Sequence, residues 1–240
     1  IDIMLKVAPI GIFCLIARTF ANLGITGMMP MLKFILTVYG GLFIQLFIVY
    51  AIIFVLFTRL NPFRFLRKML PVILFAFSTS SSNATIPLNL ETLERKCGVD
   101  EKVASFTIPL GATINMSGTA IMQGVAVVFV AQAFGIDLST SALMTVVITA
   151  VTAAIGTAGV PGVGTIMLAM VFESVGLPAA GIAMIMGVDR ILDMGRTAVN
   201  VTGDAVVTMC MASLTKTLDR NVFQSRNEDL IEEPAKAPSE

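Results

Sequence analysis

An uncharged, apolar stretch from Thr37 to Phe57 constrains the fold of this chain more than any other feature. A helix rises about 1.5 Å per residue, so about 20 such residues cross the ~30 Å hydrocarbon core of a bilayer. Of all 240 residues, 56% are hydrophobic and only 13% are charged. A soluble domain carries about 25% charged residues. The sequence therefore predicts an all-α, multi-pass integral membrane protein in contact with membrane lipid.

The region before this stretch predicts one further membrane helix, because Ala8 to Gly24 is apolar apart from Arg18. The loop after the stretch, TRLNPFRFLRK, is rich in Arg and Lys, which predicts a cytoplasmic position. The chain starts at Ile1 without an initiator methionine, a charged n-region or a signal cleavage site. We therefore interpret the sequence as part of a longer protein whose N-terminal part is missing.

The next apolar stretch, Met69 to Phe77, is too short to cross a bilayer, because its nine residues form only about 13 Å of helix. It runs into the polar sequence STSSSN, and a second short apolar part, Ala84 to Leu90, follows. Lys and Arg flank both ends, so both ends are predicted on the same side of the membrane. This pattern predicts a re-entrant helical hairpin near residues 69–90, whose tip must be buried in protein or line a wet cavity.

Two later apolar segments are also interrupted. Val103 to Gly135 is long enough to span, but its centre reads GATINMSGT, which predicts a broken helix. Ser141 to Val175 contains GTAGVPGVG, whose four glycines and one proline predict a second re-entrant hairpin near residues 141–175. Interrupted segments at corresponding positions of two halves indicate the binding site of a transporter.

The last apolar segment, Ala179 to Leu214, predicts one long helix with charged residues in its middle. Five polar residues recur at spacings of 4, 3, 4 and 4, which places them within roughly 80° of arc on one helix face. Ionisable groups inside a membrane are costly and usually mark an ion or substrate path. The alternative is a structural ion-pair ladder, which is an equally good interpretation for Asp189 and Arg190 taken alone. The stripe consists of Asp189, Asp193, Arg196, Asn200 and Asp204.

The composition argues against several other functions. The chain has no histidine, which removes the usual zinc ligand sets and the common catalytic triads, and it has no GxSxG motif. We therefore expect neither an enzyme nor an organic cofactor. A net charge of zero gives no basis for binding nucleic acid, and the three cysteines lack CxxC spacing. A passive channel is a weaker alternative, because Arg196 would lie within its cation path.

Four motifs, SSSNATIP, GATINMSGTA, GTAGVPGVG and DMGRTAVNVTGD, occur in that order and together resemble the dicarboxylate/amino acid:cation symporter family. Members of that family are trimers whose protomers have eight membrane helices and two re-entrant hairpins. The resemblance implies a scaffold helix (the fifth of the family) at 1–27, a transport domain at 28–216 and a polar cytoplasmic tail at 217–240. It implies that the first four helices are absent from this sequence, and that the full-length protein is a homotrimer in a bacterial inner membrane.

The resemblance also implies a substrate site. Arg196 would bind the side-chain carboxylate of an acidic amino acid, and Asp193 would bind its α-ammonium. Asn200 would hold the α-carboxylate, and the second hairpin tip, around Val160 and Gly164, would close over the substrate as a gate. Ser82 beside the α-carboxylate, Thr119 beside the side-chain carboxylate and Thr197 beside Asp193 complete the set.

Co-transported sodium ions are implied at two positions. One site would use Asp204, Asn200, Asn115 and the carbonyl of Gly111. The second would use mainly backbone oxygens of Thr113, Met116, Ala154, Ile155 and Thr157. The family usually has an aspartate of a third sodium site where this chain has Ser117. Our hypothesis is therefore a reduced coupling ratio of two sodium ions per substrate.

Three residues discriminate between substrates and ions within the family. Arg196 favours an acidic substrate, because members for neutral amino acids lack it. Asp193 favours an amino acid over a C4-dicarboxylate, although a C4-dicarboxylate:cation symporter remains the alternative function. Gln123 stands where proton-coupled animal members carry glutamate, which favours sodium coupling without proton or potassium exchange.

Overall fold

The computed structural model describes residues 29–225, in which every regular element is helical. The first, α1, is helical along Met29–Thr58 and includes a π-helical turn at Gln45–Val49. It therefore contains the predicted span. Arg59 ends it in the left-handed conformation, with φ of 58°, and its N–H donates to Val55. The predicted helix at Ala8 to Gly24 and the scaffold segment 1–27 lie outside the described residues.

The first hairpin, called hairpin 1, consists of α2 (Pro62–Thr79) and α3 (Ser82–Cys97). The side chain of Asn61 caps α2, and the hydroxyl of Ser81 caps α3 by accepting from the N–H of Ala84. Helix α2 begins before residue 69, because Asn61 caps it within the basic loop. Helix α3 continues beyond residue 90, as far as Cys97. At the other end, Gly98 terminates α3 with a left-handed φ of 75°.

The predicted break in the next span is confirmed. Helix α4 (Glu101–Ile114) and helix α5 (Ser117–Ala133) are separated at Asn115 and Met116. The second hairpin, called hairpin 2, consists of α6 (Thr140–Ile155) and α7 (Val163–Ser174). Its glycine-rich loop ends at Gly162, whose φ of 81° is readily adopted only by glycine. The fold class, an all-α membrane protein with two helical hairpins and broken helices, is thus as predicted.

The single long helix predicted over 179–214 is wrong in one respect, because the chain forms two helices there. Helix α8 (Ala180–Met186) ends before Gly187, and α9 (Asp189–Leu214) starts after Val188. The N–H of Val188 donates three residues back, to Ile185, which tightens the chain at this point. Glycine weakens a helix interior, but the apolar pattern continues across the break and conceals it from sequence analysis.

Helix α9 lies at the centre of the fold and contacts α1, α2, α3, α4 and α5. In its most apolar 18-residue window 78% of the residues are buried, against 17% for α1. Among residues 29–225, three segments are long and apolar enough to cross a membrane: Met29–Thr58, Glu101–Ala133 and Asp189–Leu214. The charged helix is therefore enclosed by protein, whereas α1 presents most of its surface outward.

The segment predicted as a polar cytoplasmic tail, 217–240, packs its first residues against the rest of the chain, while its cytoplasmic position stays a prediction. Asp219 caps a short helix, α10 (Arg220–Gln224), and Phe223 in that helix is buried. The buried ring of Phe223, one backbone hydrogen bond from Asp219 to Gly98 and side-chain hydrogen bonds from Arg64 and Lys68 anchor this segment, although its composition is polar. Residues 226–240 lie outside the described part of the chain.

Candidate functional site

A small cavity lies where the tips of both hairpins meet the break between α4 and α5 and the middle of α9. Its volume is about 10 Å³, close to the space that one water molecule requires. All eight residues predicted to bind substrate line it, together with five neighbours. The lining is Ser80, Ser82, Met116, Thr119, Thr157, Ala158, Gly159, Val160, Gly164, Asp193, Arg196, Thr197 and Asn200. An amino acid can enter only if the hairpin tips separate.

The charged stripe of α9 forms an ion-pair network around Arg196. Its Nε donates to Oδ1 of Asp193 across 2.8 Å, and its Nη2 lies 3.5 Å from Oδ1 of Asp189. The residue is only 2% exposed, and its Nη1 has no hydrogen-bond partner. Buried polar groups are almost always hydrogen-bonded, so the ion-pair network leaves Nη1 of Arg196 as a strong donor available for an anionic partner.

Hairpin 2 is joined to this network at two points and to α5 at a third. The N–H of Gly162 donates to Oδ2 of Asp193 at 2.8 Å, and the hydroxyl of Thr165 donates to Oδ1 of Asp189. The amide of Gln123 in α5 donates to the carbonyl of Gly164 at 3.1 Å. Two donors at the tip of hairpin 2 therefore bond to the two carboxylates that flank Arg196.

The two hairpin tips also contact each other directly at Gly159. Its carbonyl accepts from the N–H of Asn83 at 3.1 Å and from the hydroxyl of Ser81 at 3.0 Å. A Cβ atom on Gly159 would lie 2.6 Å from Oδ1 of Asn83, so a larger residue there would have to displace the Asn83 side chain. The polar tip of hairpin 1 and the glycine-rich tip of hairpin 2 therefore close the cavity from one side.

Asn200 connects α9 to the broken helix. Its Oδ1 accepts from the N–H of Gly118 at 2.7 Å, in the first turn of α5. Its Nδ2 lies 3.1 Å from Sδ of Met116 and 3.3 Å from Oγ1 of Thr119. In a continuous helix the N–H of Gly118 would bond to a carbonyl of the same helix. The break makes this N–H available to Asn200.

The residues predicted for the first cation site lie together beside Asp204. The Nδ2 of Asn115 donates to Oδ1 of Asp204 at 2.9 Å and to the carbonyl of Asn200 at 3.2 Å. A Cβ atom on Gly111 would lie 2.7 Å from the same Oδ1, so Gly111 packs directly against the carboxylate. One carboxylate among backbone and amide oxygens is a ligand set suited to a hard cation. In the stretch 29–225, no group of three or more His, Cys, Asp or Glu side chains offers another metal site.

The residues predicted for the second cation site are only partly assembled. Met116 and Thr157 both line the cavity, and the N–H of Thr157 donates to the carbonyl of Ala154. Ile155 is the last residue of α6. Thr113 is exposed, and its hydroxyl donates to Pro109 within its own helix. The grouping of these five residues into one ion site stays a prediction.

Comparison with known proteins identifies the chain. The family model described as "Sodium:dicarboxylate symporter family" matches residues 1–214. This chain belongs to the sodium:dicarboxylate symporter family. It is 41% identical over 225 residues to excitatory amino acid transporter 3 of Mus musculus, covering 90% of this chain and 42% of that protein. It is 37% identical over 232 residues to excitatory amino acid transporter 1 of Homo sapiens, covering 96% of this chain and 42% of that protein.

A third relative, an excitatory amino acid transporter of Caenorhabditis elegans, is 41% identical over 202 residues, with 83% of this chain and 40% of the relative covered. The chain thus spans about two fifths of the length of these relatives. The family and the apolar helices make it an integral membrane protein whose relatives are transporters.

Two residues of this symporter-family chain join the site without having been assigned to it from sequence. Asp189 binds both Arg196 and hairpin 2. Asp189 belongs to the polar stripe recognised in the sequence, seven residues before Arg196, although the resemblance gave it no role in binding. The hydroxyl of Tyr50 in α1 forms a 2.6 Å hydrogen bond with the hydroxyl of Ser117, at the start of α5. No local sequence signal indicates Tyr50, because its partner lies 67 residues away in the chain.

Proposed function

We propose that the full-length protein is a secondary active symporter, which moves aspartate or glutamate together with sodium ions by alternating access. The observation that carries this proposal is the pair formed by Arg196 and Asp193 in a buried cavity. One cationic and one anionic side chain, held side by side, complement a small molecule that carries both a carboxylate and an ammonium group. The curated relatives are named excitatory amino acid transporters.

The internal contacts suggest how a substrate would exchange for protein groups. Nη1 of Arg196 lacks a partner, so it can donate to a substrate carboxylate without first breaking a bond. The Oδ2 of Asp193 accepts from the N–H of Gly162, a position that the α-ammonium would take when hairpin 2 moves away. Ser82 and Asn200 lie in the same lining and would bind the α-carboxylate.

Sodium is the proposed co-transported ion at Asp204. The charges of Asp193, Asp204 and Arg196 sum to −1, and an acidic amino acid adds −1, so two sodium ions would neutralise the loaded site. Asp189 also contacts Arg196 at 3.5 Å, and this sum sets its charge against that of its sequence neighbour Arg190, whose guanidinium donates to the carbonyl of Ser78. Each sodium ion contributes about 2.3 kcal/mol per 100 mV from the membrane potential, in addition to its concentration gradient.

A C4-dicarboxylate:cation symporter is the second candidate, favoured by the name of the sodium:dicarboxylate symporter family. Succinate would use Arg196 but would leave Asp193 without an ammonium partner. A buried carboxylate facing a second carboxylate is unfavourable, so the presence of Asp193 favours the amino acid.

The finer assignments of assembly and location are also proposals. We propose a homotrimer for the full-length protein, as in the family that the sequence resembles. The outward apolar face of α1, which includes Phe43, Phe47 and Leu56, would contact membrane lipid. The location in a bacterial inner membrane stays a prediction.

The test is calorimetry on the purified full-length protein with L-aspartate, L-glutamate, succinate and L-serine, each with and without NaCl. We expect tight, sodium-dependent binding of L-aspartate or L-glutamate, which Arg196→Ala abolishes. A preference for succinate would overturn the role of Asp193 and favour the second candidate. Binding that does not depend on sodium would overturn the assignment of Asp204.

A further inference from the structure

Tyr50 of α1 reaches the beginning of α5 beside the cation site. Its hydroxyl forms a 2.6 Å hydrogen bond with the hydroxyl of Ser117, the first residue of α5, and the tyrosine is only 6% exposed. Ser117 directly follows the break at Asn115 and Met116. This hydrogen bond therefore joins α1 to the edge of the broken helix.

A π-helical turn directly precedes Tyr50. The N–H of Tyr50 donates to the carbonyl of Gln45, five residues back, where an α-helix would bond four residues back. The turn thus holds one extra residue, which rotates every later side chain by about 100° relative to an uninterrupted helix. Without the turn, Val49 would take the orientation of Tyr50. The irregular turn therefore brings a hydroxyl, instead of an apolar group, to face α5.

Gly203 of α9 allows the close approach of Tyr50. This glycine is buried and directly precedes Asp204. A Cβ atom on Gly203 would collide with the hydroxyl of Tyr50 and with Nδ2 of Asn115. The phenol and the amide therefore pack against the same point of α9, one residue from the carboxylate of the first predicted cation site.

The orientation of Asn115 depends on contacts from outside its own helix. Its Nδ2 donates to Oδ1 of Asp204 at 2.9 Å and to the carbonyl of Asn200 at 3.2 Å. Asn115 lies after the end of α4 and before the start of α5, so it lacks the hydrogen bonds that hold a residue inside a helix. The bond between Tyr50 and Ser117 fixes the chain two residues later, and the phenol limits the space into which the amide can turn.

We propose that Tyr50 is a positioning residue for sodium: by bonding Ser117 it fixes the break, so that Asn115 and Asp204 keep the arrangement that the ion requires. The proposal rests on the proposed sodium site at Asp204. Tyr50 acts through Ser117 and not as a ligand of the ion. Loss of its hydroxyl should therefore weaken sodium binding without changing the charge of the site.

The first experiment measures sodium binding alone, as the rise in melting temperature of the full-length protein with NaCl at constant ionic strength. Tyr50→Phe should raise the sodium concentration for half-maximal stabilisation by about fivefold, as expected for one lost neutral hydrogen bond. Tyr39→Phe alters the other tyrosine of the chain and is the matched control. Tyr39 also lies on α1, but its hydroxyl donates to the carbonyl of Ile191, more than three helical turns before Asp204. An unchanged sodium dependence in Tyr50→Phe would overturn the proposal.

Variants of Ser117 test whether the tyrosine acts through the serine. Ser117→Ala should weaken sodium binding as Tyr50→Phe does, whereas Ser117→Thr, which keeps a hydroxyl, should weaken it less. The double variant with Tyr50→Phe and Ser117→Ala should bind sodium no more weakly than either single variant, because both remove the same hydrogen bond. Additive losses would overturn the pairing and make Tyr50 an independent contributor.

Hydrogen–deuterium exchange without sodium or substrate gives a readout that does not depend on binding. Tyr50→Phe should speed exchange at residues 115–121, while hairpin 1 and hairpin 2 keep the rates of the unaltered protein. An equal rise in every helix would describe a loss of global stability and would overturn the positioning role.

These outcomes separate the role of Tyr50 from the proposed function. If sodium does not stabilise the unaltered protein, the sodium site and the role of Tyr50 both fail. If Tyr50→Phe loosens the break and weakens sodium binding while the protein binds no acidic amino acid, the proposed substrate fails and the role of Tyr50 stands. If substrate binding depends on sodium and Tyr50→Phe changes nothing, the proposed function stands and the role of Tyr50 fails.

Discussion

Arg196 donates through Nε to Asp193 across 2.8 Å, so the two side chains that would bind opposite ends of an acidic amino acid neutralise each other here. Hairpin 2 completes this arrangement by donating the N–H of Gly162 to the second oxygen of Asp193. An ammonium that binds Oδ2 of Asp193 must therefore displace the N–H of Gly162, whereas Nη1 of Arg196 is available without such an exchange. Such an exchange makes affinity sensitive to each partner of the network.

Replacing Arg196 with lysine should weaken aspartate binding by about 10- to 100-fold, because charge-assisted hydrogen bonds contribute about 1.5–3 kcal/mol each. Lysine keeps the charge but cannot present the planar fork that reaches Asp193, Asp189 and a ligand together. Calorimetry on the full-length protein measures the effect. Arg95→Lys, in an exposed pair with Glu91, is the control and should bind normally. Equal affinity in the two variants would contradict the role of the fork.

Asp193→Asn should change selectivity rather than only affinity. Loss of the carboxylate removes the partner of an α-ammonium, so aspartate binding should fall by at least about tenfold. Succinate binding should fall less or improve, because one negative charge has left the site. Competition of both ligands against labelled aspartate measures the ratio. A parallel loss for both would show that Asp193 does not distinguish amino acids from dicarboxylates.

Asp204→Asn should raise the sodium concentration needed for half-maximal substrate binding by at least about tenfold, since it removes the only full negative charge from the predicted ligand set. Asn115→Ala should act in the same direction, because its amide orients the carboxylate of Asp204. Asp137→Asn, at an exposed loop position, is the matched control. A sodium dependence that is unchanged in Asp204→Asn would place the cation elsewhere.

Gly164→Ala tests how closely hairpin 2 approaches Arg196. The new Cβ would lie 2.6 Å from Nη1 of Arg196 and 2.9 Å from Cγ2 of Thr119, so the hairpin cannot close in the same position. Substrate affinity should fall, while thermal stability changes little, because hairpin 2 can open to relieve the contact. Gly124→Ala, where nothing lies within 4 Å, controls for the gain in helix propensity. Identical binding by both variants would argue against this closure.

Ser117 is expected to limit coupling to two sodium ions per substrate. Its hydroxyl is already bonded to Tyr50, and it brings no charge to the region beside Asp204. Reversal potentials of reconstituted full-length protein, measured across sodium gradients, give the stoichiometry. Three sodium ions per substrate would contradict the hypothesis.

Much of the architecture follows from local sequence. The uncharged stretch that ends at Phe57 extends a helix, whereas the polar sequence STSSSN and the glycine-rich sequence GTAGVPGVG each break one. These effects arise from short-range sterics and capping, so both hairpins could be predicted. The spacing of Asp193, Arg196 and Asn200 fixes their common face on α9, because helical geometry is local. The prediction of one unbroken helix over 179–214 was wrong because the local signal for the break is weak. A single glycine at 187 does not interrupt the apolar pattern around it.

The sequence by itself determined the long apolar helix, both hairpins and the broken helix, the charged face of α9 and the family that the motifs resemble. Only the tertiary structure decided that Asp189 bonds to Thr165, that Tyr50 reaches Ser117, and that the polar tail folds back onto Lys68. These contacts join residues far apart in the chain, and they depend on how whole helices pack. Periodicity describes one helix at a time, so it cannot specify which partner lies across an interface.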